Sequence, residues 1–462
     1  MTPTLAPSRW PGALLLLLAI AGAYAGSLAG PFQFDDYNVI VANGQVHGLA
    51  AWWQSMPGIR PLLKLSYAAN WAVSDDARAF HALNLGLHAA NALLAWAVAR
   101  QWLQRLAPDT PASAAWWVAL LFALHPATTE AVTYISGRSV SLMAFFYLAA
   151  MWCFVTGREQ ARGWLWRSLA TGLFALALAV RETAATLPAA LFLLAWFAGR
   201  PAREAVRGLL PQFLLLLMMA GLALAFAGYD RFFHYSLGTR SLGEQLLGQA
   251  VAHAHLAGHS LLGLGTNLDP DLRPPAGADA GTLFTAMVMV LAVVACLLSR
   301  RRWPWLGFAI AWYALQLAPT NSLLPRFDLA NDRHLYLALP GVALAVVVPI
   351  MTAGSRPWRL ALLLVLALAM GTTTQRRNLD WRSELALWQA TVHDSPGKAR
   401  AWTNLGWARH ESGDARGARA AWECALALSP RDQQAAINLA LSPAPAQGPD
   451  PQCPPAPAGR MR

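Results

Sequence analysis

Two adjacent carboxylates, Asp35 and Asp36, follow the first apolar run of the chain. Like charges crowded beside apolar helix ends raise the pKa of one carboxyl group, and a carboxylate with a raised pKa can act as a general base. A solvated turn would use the same residues. Two acids could also hold a divalent metal, but the sequence requires no metal or other cofactor. We take Asp35 as the candidate base and Asp36 as the close alternative.

A later gap between apolar runs contains a histidine, an acid and an arginine: His125, Glu130 and Arg138. Arginine presents a planar fork of donors that matches a phosphate group, so Arg138 is a candidate for binding a phosphate near the membrane interface. A salt bridge between Arg138 and Glu130 explains the same residues equally well. We expect His125 and Glu130 to contribute to the same substrate-binding region.

Two further arginines stand at the ends of apolar runs. Arg181 precedes Glu182 with almost no loop around them, which indicates either a self-contained ion pair or an arginine that a carboxylate orients toward phosphate. Arg333 and Tyr336 are spaced at i and i+3, which places them on one helix face. Together they could hold an anionic group.

Four polar side chains recur on one face of the second long apolar run, at His81, Asn84, His88 and Asn91. A polar stripe on a membrane-spanning helix faces the bundle interior or a wet cavity. For Asn84 through Asn91 we favour hydrogen bonds between helices over chemistry. His81, at the outer end, is the better candidate for a substrate contact.

A second group of histidines includes His255 and His259, an i, i+4 pair of the kind that binds zinc. No HExxH motif supplies an acidic ligand. The segment 241–264 is more typical of an amphipathic helix that lies on the outer membrane surface. We therefore predict no metal site from the sequence.

No nucleotide-binding loop is apparent, because neither GxxxxGK[ST] nor a GxGxxG that opens a helix after a strand occurs. An activated substrate must therefore arrive without a classical nucleotide site. A lipid-linked substrate that enters from the bilayer satisfies this condition.

The elements that must position these residues are strongly apolar. The chain has 462 residues, of which 56% are hydrophobic and 13% are charged, against about 25% charged in soluble proteins. So few charges cannot cover the surface of a soluble protein of this size. The composition excludes a soluble enzyme or a disordered scaffold and predicts an all-α polytopic membrane protein.

A membrane-spanning helix needs roughly 20 mostly apolar residues, and we predict about eleven such spans. They lie near 11–29, 81–100, 112–125, 139–156, 164–180, 183–198, 208–227, 282–298, 304–318, 335–352 and 358–372. The first span also resembles a signal peptide, since Ala23-Tyr24-Ala25 has the form of a cleavage site.

Alternate gaps between these spans carry the arginines that produce much of the net charge of +11. They contain Arg9; Arg100 and Arg105; Arg158, Arg162 and Arg167; Arg200, Arg203 and Arg207; Arg300, Arg301 and Arg302; Arg356 and Arg359. The positive-inside rule makes these gaps cytoplasmic, so the charge argues for no nucleic-acid partner. The other gaps and everything after 373 then face outward, and we expect a bacterial inner membrane with the C-terminus in the periplasm.

The chain divides into a multi-span membrane domain over 1–373, a helical repeat segment over 381–442 and a Pro-rich tail over 443–462 that we predict to be disordered. A 34-residue period indicates one full tetratricopeptide repeat flanked by two partial ones. The repeat is carried by Trp402, Leu405, Gly406, Ala418, Trp422, Ala425 and Pro430. Such repeats present concave surfaces, so we expect this segment to bind a protein.

The four cysteines are scattered and include no CxxC pair, so neither a zinc site nor a disulfide framework is indicated. They are Cys153, Cys296, Cys424 and Cys453.

Five blocks in this order resemble the transmembrane and tetratricopeptide-repeat O-mannosyltransferase family. They are Phe34-Asp35-Asp36, His125-Pro126 through Glu130 with Ser136-Gly137-Arg138, Arg181-Glu182, Asn331 through Tyr336, and the repeats after the last span. Arg60-Pro61-Leu62 and the polar stripe that begins at His81 are also similar to that family. The family's lysine-glutamate element reads Arg181-Glu182 here, and members with long arrays carry many more repeats.

The resemblance implies a GT-C-like bundle and an inverting glycosyltransferase. Such an enzyme takes a sugar, mannose in the family's name, from a polyprenyl-phosphate carrier on the extracytoplasmic side and passes it to a hydroxyl acceptor such as Ser or Thr of a protein, or a glycan. The family's paired-acid motif maps onto Asp35 and Asp36. The expected partners are the lipid-linked sugar, the acceptor and membrane lipid.

Two other functions compete with this one. A ligase or polymerase of lipid-linked glycans also uses outward arginines and histidines, although it would not need Asp35 and Asp36. A transporter, or a non-enzymatic membrane platform for docking of the repeats, would use no chemistry. The sequence shows no internal symmetry of the kind that transporters have.

Overall fold

The computed structural model describes residues 10–55, 58–225, 234, 236–442 and 453. This part of the chain contains α-helices, short 3-10 turns and one π-helical turn, and it contains no β-strand. The α-helices are α1 (Trp10–Tyr24), α2 (Leu49–Ser55), α3 (Pro61–Val73), α4 (Ala77–Leu106), α5 (Ala114–Ala123), α6 (Thr129–Val132), α7 (Arg138–Gly157), α8 (Gly163–Val180), α9 (Leu187–Phe197), α10 (Ala202–Arg207), α11 (Leu210–Ala225), α12 (Leu242–Leu262), α13 (Ala280–Arg302), α14 (Pro304–Leu317), α15 (Leu339–Thr352), α16 (Arg356–Asp380), α17 (Glu384–Asp394), α18 (Ala399–Glu411), α19 (Ala415–Leu428) and α20 (Gln433–Leu441).

Within the described residues, six helical segments are long and apolar enough to cross a membrane, so the chain is an integral membrane protein. They are Trp10–Ala29, Ala77–Leu106, Ile135–Gly157, Gly163–Val180, Ala280–Arg302 and Arg356–Asp380. The other predicted spans fall on helices of fewer residues, such as α5 and α15. The total of about eleven spans stays a prediction.

Burial differs strongly among these segments and identifies the centre of the bundle. Two thirds (67%) of the best apolar window of Ile135–Gly157 is buried, whereas only 6% of that of Ala280–Arg302 is. Helix α7 packs against both α4 and α8. The apolar surface of α13 is therefore left for lipid, and the polar groups of the chain are carried by the central helices.

The polar stripe on α4 bonds to neighbouring elements inside the bundle. The His88 ring is hydrogen-bonded to the Tyr336 hydroxyl at 2.8 Å and to the Ala123 carbonyl oxygen at 3.0 Å, and Asn91 donates to the same hydroxyl at 3.0 Å. These contacts agree with our interpretation of the stripe as hydrogen bonds between helices. They also correct the expected role of Tyr336, whose buried hydroxyl points to α4 and is not placed to share an anion with Arg333.

Arginines from three of the alternate gaps lie together at one end of the bundle. Arg105, Arg158 and Arg200 line a common cavity, and Arg105 forms an ion pair with Glu159. The regular alternation of the membrane spans predicted that these arginine-rich gaps would lie at the same end of the bundle. The first loop and the repeat segment lie next to each other, away from this arginine-rich end. We call their region the site end and define it by Asp35, Glu130, Arg181 and Arg333.

Helix α16 runs to Asp380, beyond the predicted end of the last span at 372 and the predicted domain boundary at 373. Its last turns are polar in sequence, but one face of them is buried, at Thr374, Arg377 and Asn378, and is bonded to the bundle. Thr374 donates to the carbonyl oxygen of Leu124 at 2.7 Å, and Asn378 donates to that of Ala23 at 3.0 Å. Because these partners come from other helices, hydropathy along the chain could not reveal the continuation.

Helices α17 to α20 follow as antiparallel neighbours over the predicted repeat segment. Trp422 of α19 lies on Gly406 of α18, where a Cβ atom would collide with the indole ring, and its Nε1 donates to the Thr403 carbonyl oxygen at 3.1 Å. The glycine and tryptophan of the 34-residue pattern are therefore one packing contact. The assignment of the segment as a tetratricopeptide repeat stays a prediction.

Cys424 and Cys453 form a disulfide, with their Cα atoms 5.2 Å apart. This corrects the inference from cysteine spacing, because a pair separated by 29 residues has no local motif. Cys153 and Cys296 are free thiols. The rest of the predicted Pro-rich tail lies outside the described residues.

Gly406→Ala is expected to lower the free energy of unfolding of the repeat helices by about 1–3 kcal/mol, because the new methyl group overpacks the contact with Trp422. Gly243→Ala, on α12 where an added Cβ meets open space, is the control and should be neutral or stabilising. Chemical unfolding followed by tryptophan fluorescence measures both. Equal stability of the two variants would contradict this packing.

Candidate active site

The two acids of the first loop differ in burial, and they follow a residue with an unusual backbone conformation. Phe34 has a φ of 51°, in the left-handed region that non-glycine residues seldom adopt. Its N–H donates to the Glu384 carboxylate at 3.2 Å, and its ring packs against that of Trp388 at 5.3 Å between centroids. These contacts from α17 hold the turn, which buries Asp36 and leaves Asp35 half-buried.

Asp36 is fixed by three hydrogen bonds. One carboxylate oxygen accepts from the Ser136 N–H at 2.8 Å and from the Ser136 hydroxyl, and the other accepts from the Gln33 N–H at 3.0 Å. Burial raises the pKa of Asp36 to about 7, in spite of these donors. Asp36 therefore ties the first loop to the block that begins at Ser136, while Asp35 is the more exposed carboxylate of the pair.

Glu130 pairs with Arg333. Its side chain is 4% exposed, one oxygen accepts from the Arg333 N–H at 3.1 Å, and the other lies 3.5 Å from the Arg333 Nε. Burial raises the pKa of Glu130 to about 7, although the charge of Arg333 opposes the shift. The salt bridge that we considered between Glu130 and Arg138 is therefore replaced by one to a residue much later in the chain.

Arg138 is fully buried and its donors are used inside the protein. Its guanidinium donates to the side-chain oxygens of Asn84 at 2.7 Å and Asn70 at 2.8 Å and to the Phe80 carbonyl oxygen at 3.1 Å, and it lies 4.9 Å from the Tyr67 ring centroid. These contacts join α3, α4 and α7. The predicted phosphate contact of Arg138 is untested, and this geometry favours a positioning role.

Arg181 and Glu182 do not form a self-contained ion pair. Glu182 instead accepts a forked pair of hydrogen bonds from Arg60, at 2.9 and 3.1 Å. Arg60 itself has a φ of 62°, a conformation that turns its side chain back to this acid. Arg181 donates to the Ser139 hydroxyl at 2.8 Å and faces a cavity.

Three arginines meet at this cavity, whose volume is about 280 Å³. Arg181 and Arg333 were candidates from the sequence, and Arg326 was not. Burial, followed by the neighbouring charges of Arg60 and Arg333, lowers the pKa of Arg326. The repulsion among these arginines shows that positive charge is concentrated around the cavity.

The position of Arg326 in the sequence gives an indication of its role, although it belongs to no motif. It stands in the gap 319–334, on the side from which the positive-inside rule should exclude unpaired arginines. An arginine that breaks the topology pattern is a candidate for function in the same way as a charge inside a membrane.

A narrower cleft with a mixed polar and apolar lining adjoins the arginines. Val140, Met143 and Leu337 line it together with Arg181 and Arg333. These apolar residues belong to or border the central helices α7 and α15. The arrangement therefore places two arginines beside three apolar side chains in one cleft.

The two remaining histidine candidates bond to backbone and line neither of these cavities. The His81 ring is hydrogen-bonded to the Gly30 carbonyl oxygen at 3.0 Å. The His125 ring accepts the Ala127 N–H at 3.2 Å and lies 3.2 Å from the Ser260 carbonyl oxygen. Both rings position loops at the site end, and a direct substrate contact by either stays a prediction.

The repeat segment is anchored next to the cavity. The buried carboxylate of Asp269 forms ion pairs with Arg400 at 2.6 Å and with Lys398 at 3.0 Å. Arg400 also reaches Asp328, a residue of the cavity wall, at 2.9 Å. Helix α18 is thus fixed against the same loop that carries Arg326.

No protein-family model matches the chain. It is similar to the protein O-mannosyl-transferase TMTC3 of Mus musculus (28% identical over 181 residues, 36% of this chain and 19% of the relative) and to Tmtc1 of Drosophila melanogaster (32% over 181 residues, 35% and 20%). The protein O-mannosyl-transferase F38B6.6 of Caenorhabditis elegans is 29% identical over 163 residues (32% and 23%). These relatives confirm the family resemblance inferred from the motifs.

The matched region spans about a fifth of the length of these curated relatives. Among solved structures, an oligosaccharyltransferase of Archaeoglobus fulgidus is similar with a TM-score of 0.46 and 15% identity, covering 96% of this chain and 60% of that one.

Asp36→Asn is expected to cost about 1.5–3 kcal/mol of stability, because the amide cannot accept all the bonds that the carboxylate receives from Gln33 and Ser136. Asp35→Asn should change stability by no more than about 0.5 kcal/mol, as substitutions away from buried networks do. Unfolding of the two purified variants in detergent compares them. A larger loss in Asp35→Asn than in Asp36→Asn would contradict the division of roles.

Proposed function

We propose that this protein is an integral-membrane glycosyltransferase of the GT-C class, which transfers a sugar from a polyprenyl-phosphate donor to a hydroxyl acceptor. One observation carries the proposal: three arginines line a cavity beside a cleft that is partly apolar, with the half-buried carboxylate of Asp35 at the same end of the protein. The names of the relatives make mannose the first sugar to test and make protein Ser or Thr the first acceptor.

The donor phosphate would lie among Arg181, Arg326 and Arg333. Each guanidinium offers charged N–H donors that suit phosphate oxygens. The isoprenoid chain would follow the apolar wall formed by Val140 and Met143 toward the bilayer. When the sugar departs, negative charge develops on the phosphate, and preorganised cations stabilise it.

Asp35 would act as the general base. The acceptor hydroxyl gives its proton to the Asp35 carboxylate as its oxygen forms a bond to the anomeric carbon, and the bond from that carbon to the phosphate oxygen breaks. Polyprenyl phosphate leaves, and the sugar configuration inverts because there is a single displacement. Asp36, Glu130 and Arg138 hold the loops in place for this step, and no metal is assigned a part in it.

The site end would face the extracytoplasmic side, which is the periplasm if the membrane is a bacterial inner membrane. The disulfide between Cys424 and Cys453 supports this orientation, because disulfides persist in oxidising compartments. The contact of Phe34 with Trp388 supports a role in acceptor binding for the segment after α16, because it joins α17 to the first loop. A protein acceptor bound by the repeats would therefore reach Asp35.

The proposal is tested with purified protein in nanodiscs, a polyprenyl-phosphate mannose donor and Ser/Thr-containing peptides. Asp35→Asn should lower kcat by about 10²–10⁴-fold through loss of the base. Arg326→Gln should weaken donor binding by about tenfold, equivalent to about 1.4 kcal/mol. Arg301→Gln, an exposed arginine at the end of α13, is the matched control and should leave both constants unchanged.

Full transfer activity in Asp35→Asn would contradict the mechanism and favour a ligase or polymerase of lipid-linked glycans. Absence of turnover with every polyprenyl-phosphate sugar, in protein that still binds a partner through its repeats, would favour a docking platform.

A further inference from the structure

Three side chains that can ligate a metal meet at the site end, outside the proposed transfer machinery. His255 and His259 lie one turn apart on α12, and their ring centroids are 3.9 Å apart. The His259 Nδ1 is 2.7 Å from an Asp332 carboxylate oxygen. One ligand atom from each of the three residues lies within 4.8 Å of those of the other two.

We propose that His255, His259 and Asp332 form a zinc-binding site. Two imidazoles and one carboxylate are a ligand set that zinc prefers, with bonds of about 2.0–2.2 Å. Tetrahedral geometry at those bond lengths separates ligand atoms by about 3.4 Å. The three ligand atoms, which lie within 4.8 Å of one another, are close to that separation.

A simple ion pair between His259 and Asp332 does not account for His255. The Nε2 of His255 is buried and has no hydrogen-bond partner among the described residues. Buried polar atoms in native proteins almost always have a partner. A metal ion bound to this nitrogen supplies the missing interaction.

The position of Asp332 in the chain explains why the spacing of the two histidines alone did not predict a metal site. The acid stands 73 residues after His259 in the chain, on the 3-10 turn Asp332–Leu335, so no local motif such as HExxH records it. The other Asp332 oxygen accepts the Asn267 N–H at 3.2 Å. Such outer hydrogen bonds orient the carboxylate ligands of metals.

The metal would act as a positioning ion for the neighbouring cavity. Asp332 directly precedes Arg333, whose N–H and guanidinium contact Glu130. Zinc held by α12 would therefore fix the backbone that presents Arg333. This role rests on the three ligands and does not require that the proposed transfer reaction be correct.

The experiment measures zinc directly in full-length protein purified without a histidine tag. The protein is stripped with a chelator, reloaded with Zn²⁺ alone and studied by inductively coupled plasma mass spectrometry. Wild type should retain about one zinc ion per chain, and its thermal midpoint should rise on reloading. Cobalt reloading should give the visible absorption of a tetrahedral site.

His255→Gln is the informative variant, because it removes one ligand and leaves the His259–Asp332 pair intact. We expect its zinc affinity to fall by at least about 100-fold, with loss of the thermal shift. His253→Gln is the matched control on the same helix, where the imidazole bonds to the Asn321 carbonyl oxygen, and it should bind zinc as wild type does. Equal zinc binding by wild type and His255→Gln, or no binding by wild type, would overturn the proposal.

Discussion

The buried carboxylate of Asp36 is the contact on which the geometry of the site depends. Its bonds to Gln33 and Ser136 join two loops that are about a hundred residues apart in the chain. Those bonds fix the start of α7. At this position, Arg138 donates hydrogen bonds to Asn84 of α4 and to Asn70 of α3, which joins the three helices. They bury Asp36 and leave Asp35 as the more exposed acid of the pair.

A second constraint is the pairing of acids with arginines that are distant in sequence. Glu130 pairs with Arg333, and Glu182 pairs with Arg60. Asp269 similarly receives Arg400 from the repeat segment. Because Glu182 is turned to Arg60, Arg181 faces the cavity without a carboxylate at hydrogen-bond distance among the described residues. The cavity is therefore cationic even though acids are close by.

The sequence predicted the helical class, the positions of the six long apolar helices and the shared end of three arginine-rich gaps, because these follow from hydropathy and charge along the chain. It also identified Arg181 and Arg333. It could not assign the partners of Glu130 or Arg138, since their contacts join elements far apart in the chain. For the same reason, the sequence did not predict the polar end of α16, the Cys424–Cys453 disulfide or the proximity of Asp332 to His255 and His259. Topology offered only a weak signal for Arg326, which shares its predicted outward position with arginines such as Arg240 and Arg273.

The central claim is that the three-arginine cavity receives the phosphate of a lipid-linked sugar. A cryo-electron microscopy structure of the protein in nanodiscs with polyprenyl phosphate tests it most directly. We predict phosphate density within hydrogen-bond distance of Arg181, Arg326 and Arg333, with the isoprenoid chain along Val140 and Met143. Phosphate density at the opposite, arginine-rich end near Arg158 and an empty cavity at the site end would contradict the claim.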